Sequence, residues 1–135
     1  MLLKTIVTLL SGVGLCTALF MLAKTRRAQA GRLTEPSVVQ TPRARLYGGV
    51  SNALVGAIYY PAVGLAIWLV RTPAAEVALL AAVALAALTS AYLAYSLLFV
   101  TRRPCPVCWT AHAINWALAL LCLRLLSDGI LSSRG

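Results

Sequence analysis

Four long apolar runs constrain this chain more than anything else in it. They cover residues 2–23, 49–70, 77–100 and 105–126. Each is long enough to cross a hydrocarbon core of roughly 30 Å as a helix, which takes about 20 residues. Lipid admits only helices and closed barrels, and continuous apolar runs of this length read as helices. Hydrophobic residues make up 61% of the chain, against about 45–50% in soluble domains. The expected fold is an all-α integral membrane protein, one domain over residues 1–135. Two of the three connections are short, so the spans form an antiparallel four-transmembrane-helix bundle.

The first run carries Lys4 near its start, a pattern shared with signal peptides. It is longer than a typical signal core, and Lys24-Thr25-Arg26-Arg27 is a poor cleavage site, so it reads as a retained helix. Ser11, Gly12 and Gly14 are small enough to let a second helix approach closely. Cys16 in this span and Cys122 in the fourth read as core residues. The second run holds Tyr59, Tyr60 and Pro61 at its middle, where Pro61 predicts a kink. Trp68 and Arg71 mark one membrane interface. Residues 71–76 form a tight turn. In the third run Tyr92, Tyr95 and Phe99 recur at helical spacing, a stripe that reads first as packing.

Residues 24–48 are the one long polar stretch. Lys24, Arg26, Arg27, Arg32, Arg43 and Arg45 stand there against a single acid, Glu35. Residues 34–39 could cap and begin a short interfacial helix that Pro42 would end or kink. The formal charge of +9 raises nucleic acid as a partner. However, the basic residues flank apolar runs, so the expected partner is membrane lipid and not nucleic acid.

The chemistry points to Pro104-Cys105-Pro106-Val107-Cys108-Trp109. Pro106 suits the first turn of a helix, where its missing N–H costs nothing. That sets Cys105 at the helix entrance and Cys108 one turn inside. A thiol there faces the positive end of the helix dipole, with Arg102 and Arg103 beside it, which favours thiolate. Cys105, Cys108, His112 and Asn115 follow at spacings of 3, 4 and 3, on one helical stripe. His112 is the chain's only histidine, and an ionisable group inside a span is a functional candidate. Zinc would want about four ligands; one CxxC and one His make a poor set, so no metal is expected. An acceptor that is apolar with polar ends suits the stripe better, and a quinone has that character. Asn52, at the start of the second span, and His112 are the natural donors to its oxygens. Asn52 could equally be a residue bonded to local backbone. Cys108, the deeper thiol, would face the quinone, and Cys105 would exchange with protein thiols.

These residues resemble the vitamin K epoxide reductase family. One block runs from Ala91-Tyr92-Leu93-Ala94 through Leu98-Phe99-Val100 to Cys105-Pro106-Val107-Cys108 and Ala113-Ile114-Asn115. A second runs from Gly49 through Asn52 to Tyr59-Tyr60. The resemblance implies a four-helix bundle around a quinone of the ubiquinone, menaquinone or vitamin K type. It gives Cys105 and Cys108 as catalytic and Asn52 as a ligand to a quinone oxygen. His112 stands where vertebrate members have a quinone-binding Tyr, and Tyr60, closing the second block, joins the candidate quinone-binding residues. The implied reaction is thiol–disulfide oxidoreduction that generates disulfides, with a thioredoxin-like redox protein as partner. The alternatives are reduction of vitamin K quinone or epoxide, and a non-catalytic, degenerate subunit.

The chain departs from the family pattern in one respect. Typical members carry two cysteines in the first loop; residues 24–48 contain none, so a partner thiol would have to reach Cys105 directly. Orientation is also in conflict. Eight basic residues lie on the CxxC side and four (Lys4, Arg71, Arg124, Arg134) on the other. That bias puts the CxxC in the cytoplasm, whereas the usual family orientation is extracytoplasmic.

Overall fold

The structure is a computed structural model describing residues 1–45 and 49–133, with side chains described as far as Ser127. The last residues of the basic loop (46–48) and Arg134 of the charge count lie outside the described residues. Four helices are long and apolar enough to cross a membrane: α1 (Leu2–Gln29), α2 (Asn52–Leu69), α3 (Pro73–Ser96, continuing as a π-helical turn over Leu97–Thr101) and α4 (Pro106–Ser133). The helices outrun the apolar sequence at several ends. α1 goes nearly two turns further than its apolar run, through Arg26 and Arg27, cations that suit a helix C-terminus.

The connection before α3 is shorter than the expected 71–76 turn. Thr72 is the N-cap, its Oγ1 accepting from Ala75 N–H at 3.3 Å, and Pro73 opens the helix with Glu76 in the first turn. This is an N-terminal signature, so residues expected in the turn are helical. α2 runs through Pro61 as one continuous helix. In the first loop, Val38–Gln40 forms a 3-10 turn after Ser37, whose N–H donates to Gln40 Oε1 at 3.0 Å. Pro42 does not end this segment. It opens a second 3-10 turn, Pro42–Ala44, where its fixed φ fits the first position. Arg45 then makes an antiparallel bridge to Ser51, the N-cap of α2.

The neighbours around the bundle run α2, α1, α4, α3, while α2 and α3 barely touch. α1 and α2 approach through small residues. A Cβ on Gly64 would meet Ser11 Cβ at 3.3 Å, and one on Gly56 would meet Ala18 Cβ at 3.2 Å. Gly14 lies flat against the Tyr60 ring, and a Cβ there would sit 2.4 Å from Cε1. Gly12, expected in the same contact, has nothing within 4 Å. Gly14 and Ser11 lie close to the inward direction, whereas Gly12 is about 200° from Gly14 around the helix. The same turn geometry corrects Cys16, which is exposed between the inward Gly14 and Ala18, while Cys122 is fully buried in the core.

Packing is uneven along the bundle axis. Val7, Val63, Ile67, Val83, Leu118 and Cys122 build a dense cluster in the half remote from the CxxC. At that end Trp68 Nε1 donates to Thr8 Oγ1 at 2.9 Å, and Lys4 Nζ lies 5.8 Å from the Trp68 ring centre. The other half is hollow. Tyr92, Tyr95 and Phe99 do not fill it: all three are more than half exposed, because Ser90, Ala94 and Leu97 occupy the inward face of α3. The expected packing stripe is therefore on the outward, lipid-directed surface.

Candidate functional site

The start of α4 follows from its sequence. Pro106 occupies the first helical position, and the preceding Cys105 caps the helix. The Cys105 carbonyl accepts from Trp109 N–H at 3.1 Å, and its Sγ lies 3.3 Å from Cys108 N. The two cysteines are joined as a disulfide, with Cα atoms 5.2 Å apart. α3 delivers the chain to this point by widening into the π-helical turn Leu97–Thr101, after which Arg102 adopts a left-handed φ of 49°. Wider turns of this kind recur at functional positions of helices.

Beneath the disulfide lies a cavity of about 450 Å³, within the range of roughly 300–1,000 Å³ usual for ligand pockets. All four helices and the basic loop contribute to its wall. Of the candidate residues, Asn52, Tyr60, Cys108 and His112 line it together. Cys105 does not; it is half-buried at the rim. Asn115, the last residue of the α4 stripe, also lines the cavity. His112 is 93% buried between Trp109 and Trp116, with ring centres at 6.1 and 6.3 Å. Its ring makes no hydrogen bond among the described residues.

The wall is mostly apolar, but its polar atoms are unusual. Five buried side-chain polar atoms lack a hydrogen-bond partner among the described residues: Ser11 Oγ, Asn52 Oδ1, Tyr59 Oη, Ser96 Oγ and Asn115 Oδ1. Four of the five belong to residues that line this one cavity. A buried polar atom left unpaired costs about 1–3 kcal/mol, so a cluster of four marks a place where a polar ligand or water completes the bonding. The partnered atoms hold the others in position. Asn52 Nδ2 donates to the Arg43 carbonyl at 3.0 Å, and Asn115 Nδ2 to Ser90 Oγ at 2.6 Å. Tyr60 Oη donates to the Ala111 carbonyl at 3.4 Å.

Arg43 spans the gap between α2 and α3. Its backbone holds Asn52, and its guanidinium donates to Tyr92 Oη while lying 5.5 Å from that ring's centre. Below this bridge the cavity wall includes Val55 of α2 and Leu85 of α3, which are 39% and 66% exposed on the outer surface. The cavity therefore reaches the lipid-directed face between these two helices.

A sequence model of the vitamin K epoxide reductase family matches residues 5–123. The chain belongs to that family. The match takes in all but the last described residues of α4 and includes every residue of the cavity wall. No individual curated protein matches the chain. Vitamin K epoxide reductase family members are typically quinone-dependent membrane oxidoreductases, so this is a multi-pass membrane protein carrying the CxxC pair of a family that works with a quinone.

The polar wall was only partly foreseeable. Ser90, Ser96 and Tyr59 carry the general signal of a polar group inside an apolar span, and that signal alone does not say which of them face inward. Arg43 gives no sequence signal, since its place depends on the path of the loop across the bundle end.

Proposed function

We propose that this protein is a membrane thiol–disulfide oxidoreductase that takes two electrons from a protein dithiol and passes them, through Cys105 and Cys108, to a quinone. One observation supports the reading most: Cys108 lines the same cavity as four unpaired polar atoms, and that cavity reaches the lipid-directed face. The fit to a quinone headgroup is good. The apolar wall suits its ring, the unpaired hydroxyls of Tyr59 and Ser96 can donate to its oxygens, and the gap between α2 and α3 suits a lipid-soluble tail. A bound quinone would supply the two-electron acceptor.

The chain's own residues divide the work. Cys105, at the rim and beside Arg102 and Arg103, is the sulfur a partner thiolate can reach. Attack there forms a mixed disulfide and frees Cys108. A second partner thiol then displaces Cys105, so the partner leaves oxidised and Cys105 and Cys108 are both reduced. Cys108 faces the acceptor. When the pair returns to the disulfide, two electrons and two protons leave the thiols for the quinone, which becomes a quinol. Asn52, Tyr60 and His112 hold and orient the headgroup. With no cysteine in residues 24–48, the partner, of thioredoxin-like type, exchanges with Cys105 directly. The charge bias favours a CxxC end facing the cytoplasm.

The test uses reduced, purified protein in detergent with ubiquinone or menaquinone. Quinone absorbance and free thiols are followed together, with Cys108→Ala as control. The expected result is quinone loss matched by loss of two thiols in the native protein alone. A native protein whose Cys105 and Cys108 stay reduced with both quinones would overturn the reading and favour a non-catalytic subunit.

A further inference from the structure

The unpaired atoms of the cavity are not evenly divided between donors and acceptors. Asn52 Oδ1 and Asn115 Oδ1 can only accept a hydrogen bond. Tyr59 Oη and Ser96 Oγ can do either. The orientation of Asn52 is dictated by chemistry: the Arg43 carbonyl can only accept, so the amide nitrogen must face it and the oxygen must face away. Asn115 is not fixed in this way, because its partner at 2.6 Å, Ser90 Oγ, can donate as well as accept. Asn52 Oδ1 therefore needs a donor from whatever occupies the cavity. A 1,4-dione has none, whereas the corresponding 1,4-diol has two.

Resting on the quinone chemistry above, we propose that in the disulfide state the cavity is built for the reduced headgroup: Asn52, held by the Arg43 carbonyl, accepts a hydrogen bond from a quinol and makes it bind more tightly than the quinone. The disulfide state is the state in which the quinol has just formed. The consequence is product inhibition, with the quinol competing against fresh quinone. Asn52 then sets which redox form of the headgroup is retained, a role distinct from electron transfer at the sulfurs.

The test is a binding titration that needs no turnover. Protein with an oxidised Cys105–Cys108 pair is placed in phospholipid nanodiscs without oxygen. It is titrated with 2-methyl-1,4-naphthoquinone, with the matching naphthalenediol, and with the diol's dimethyl ether, which has the same shape and no donors. Binding is read from the fluorescence of Trp109 and Trp116, which flank His112, and a thiol count confirms that the disulfide is intact. The expected order is diol tighter than quinone by about tenfold, the weight of one hydrogen bond to a buried unpaired acceptor, with the ether no tighter than the quinone. In Asn52→Leu the preference for the diol falls to about twofold or less. Equal binding of diol and quinone, or an ether as tight as the diol, overturns this proposal and leaves the quinone reading standing, since water then satisfies the acceptors. Failure of all three ligands to bind overturns both. The comparison among ligands on the native protein keeps the proposal testable even where Asn52→Leu does not fold.

Discussion

Gly14→Ala should be the most damaging single methyl that can be added to the α1–α2 contact. The new Cβ would lie 2.4, 2.5 and 2.7 Å from Cε1, Cδ1 and Cζ of Tyr60, where ordinary contact begins near 3.4 Å. The ring must retreat by about 1 Å, and it has little room, being 3% exposed. Overpacking of this kind costs about 1–3 kcal/mol. The shift would also break the 3.4 Å bond from Tyr60 Oη to the Ala111 carbonyl, worth about 0.5–1.5 kcal/mol. Against this stands the helix preference of Ala over Gly, about 1 kcal/mol. The net expectation is a loss of about 1–3 kcal/mol. Reversible unfolding in mixed micelles, with rising detergent denaturant and helix content as the signal, measures it. Gly12→Ala is the internal reference, since its Cβ meets nothing within 4 Å; it should be neutral or stabilising. Gly56→Ala, with its nearest contact at 3.2 Å, should fall between. The decisive comparison is Gly14→Ala in a Tyr60→Ala background, where the methyl has room and the loss should vanish. The same loss in both backgrounds would refute the argument, because the damage would not then come from the Tyr60 ring.

Two further outcomes follow from the polar bonds. Ser90→Ala removes the partner of Asn115 Nδ2 and should cost about 1–3 kcal/mol in the same unfolding assay; adding Asn115→Leu should restore most of that, since no unpaired amide remains. Trp68→Phe removes the bond to Thr8 at the opposite end and should cost about 0.5–1.5 kcal/mol while leaving naphthalenediol binding within about twofold of native.

The sequence is explicit about whatever depends on hydropathy and local chemistry. The four helices and Pro106 opening α4 could be read from it, whereas grouping Asn52 and Tyr60 with Cys108 and His112 needed the family resemblance as well. It is weak wherever the outcome turns on which way a helix faces. Ser11, Gly12 and Gly14 are equally small, yet only rotation about the helix axis distinguishes Gly12 from the other two. Cys16 and Cys122 are both apolar-embedded thiols, and only one is buried. Tyr92, Tyr95 and Phe99 have the spacing of a core stripe, but in lipid both faces of a helix can be aromatic, so periodicity loses the contrast that marks an interior in water. The Arg43 bridge depends on the loop's path and has no pattern to announce it.

The distribution of side-chain size along the bundle ties the fold to the chemistry. In the half remote from the disulfide, inward positions carry Val7, Val63, Ile67, Val83 and Leu118, and the helices close on one another. In the half beneath it, much of the wall is Ala53, Ala82, Ala86, Ser90 and Ala111, and even with Tyr60, Leu97 and His112 among them a space remains between the helices. Nothing in helix formation demands this change, since Ala and Leu are both good helix formers. Larger residues there would have filled the space and added packing. The void instead combines lost packing with four unpaired polar atoms, each a cost of about 1–3 kcal/mol when dry. Such a cost is sustained in a folded bundle when the dense half carries the stability and an occupant of the void satisfies the polar atoms. The position of the disulfide supports the same reading: Cys108 opens into the void, while Cys105, three residues earlier at the helix cap, stays at the rim. One turn of helix thus separates the sulfur at the rim from the sulfur that opens into the void.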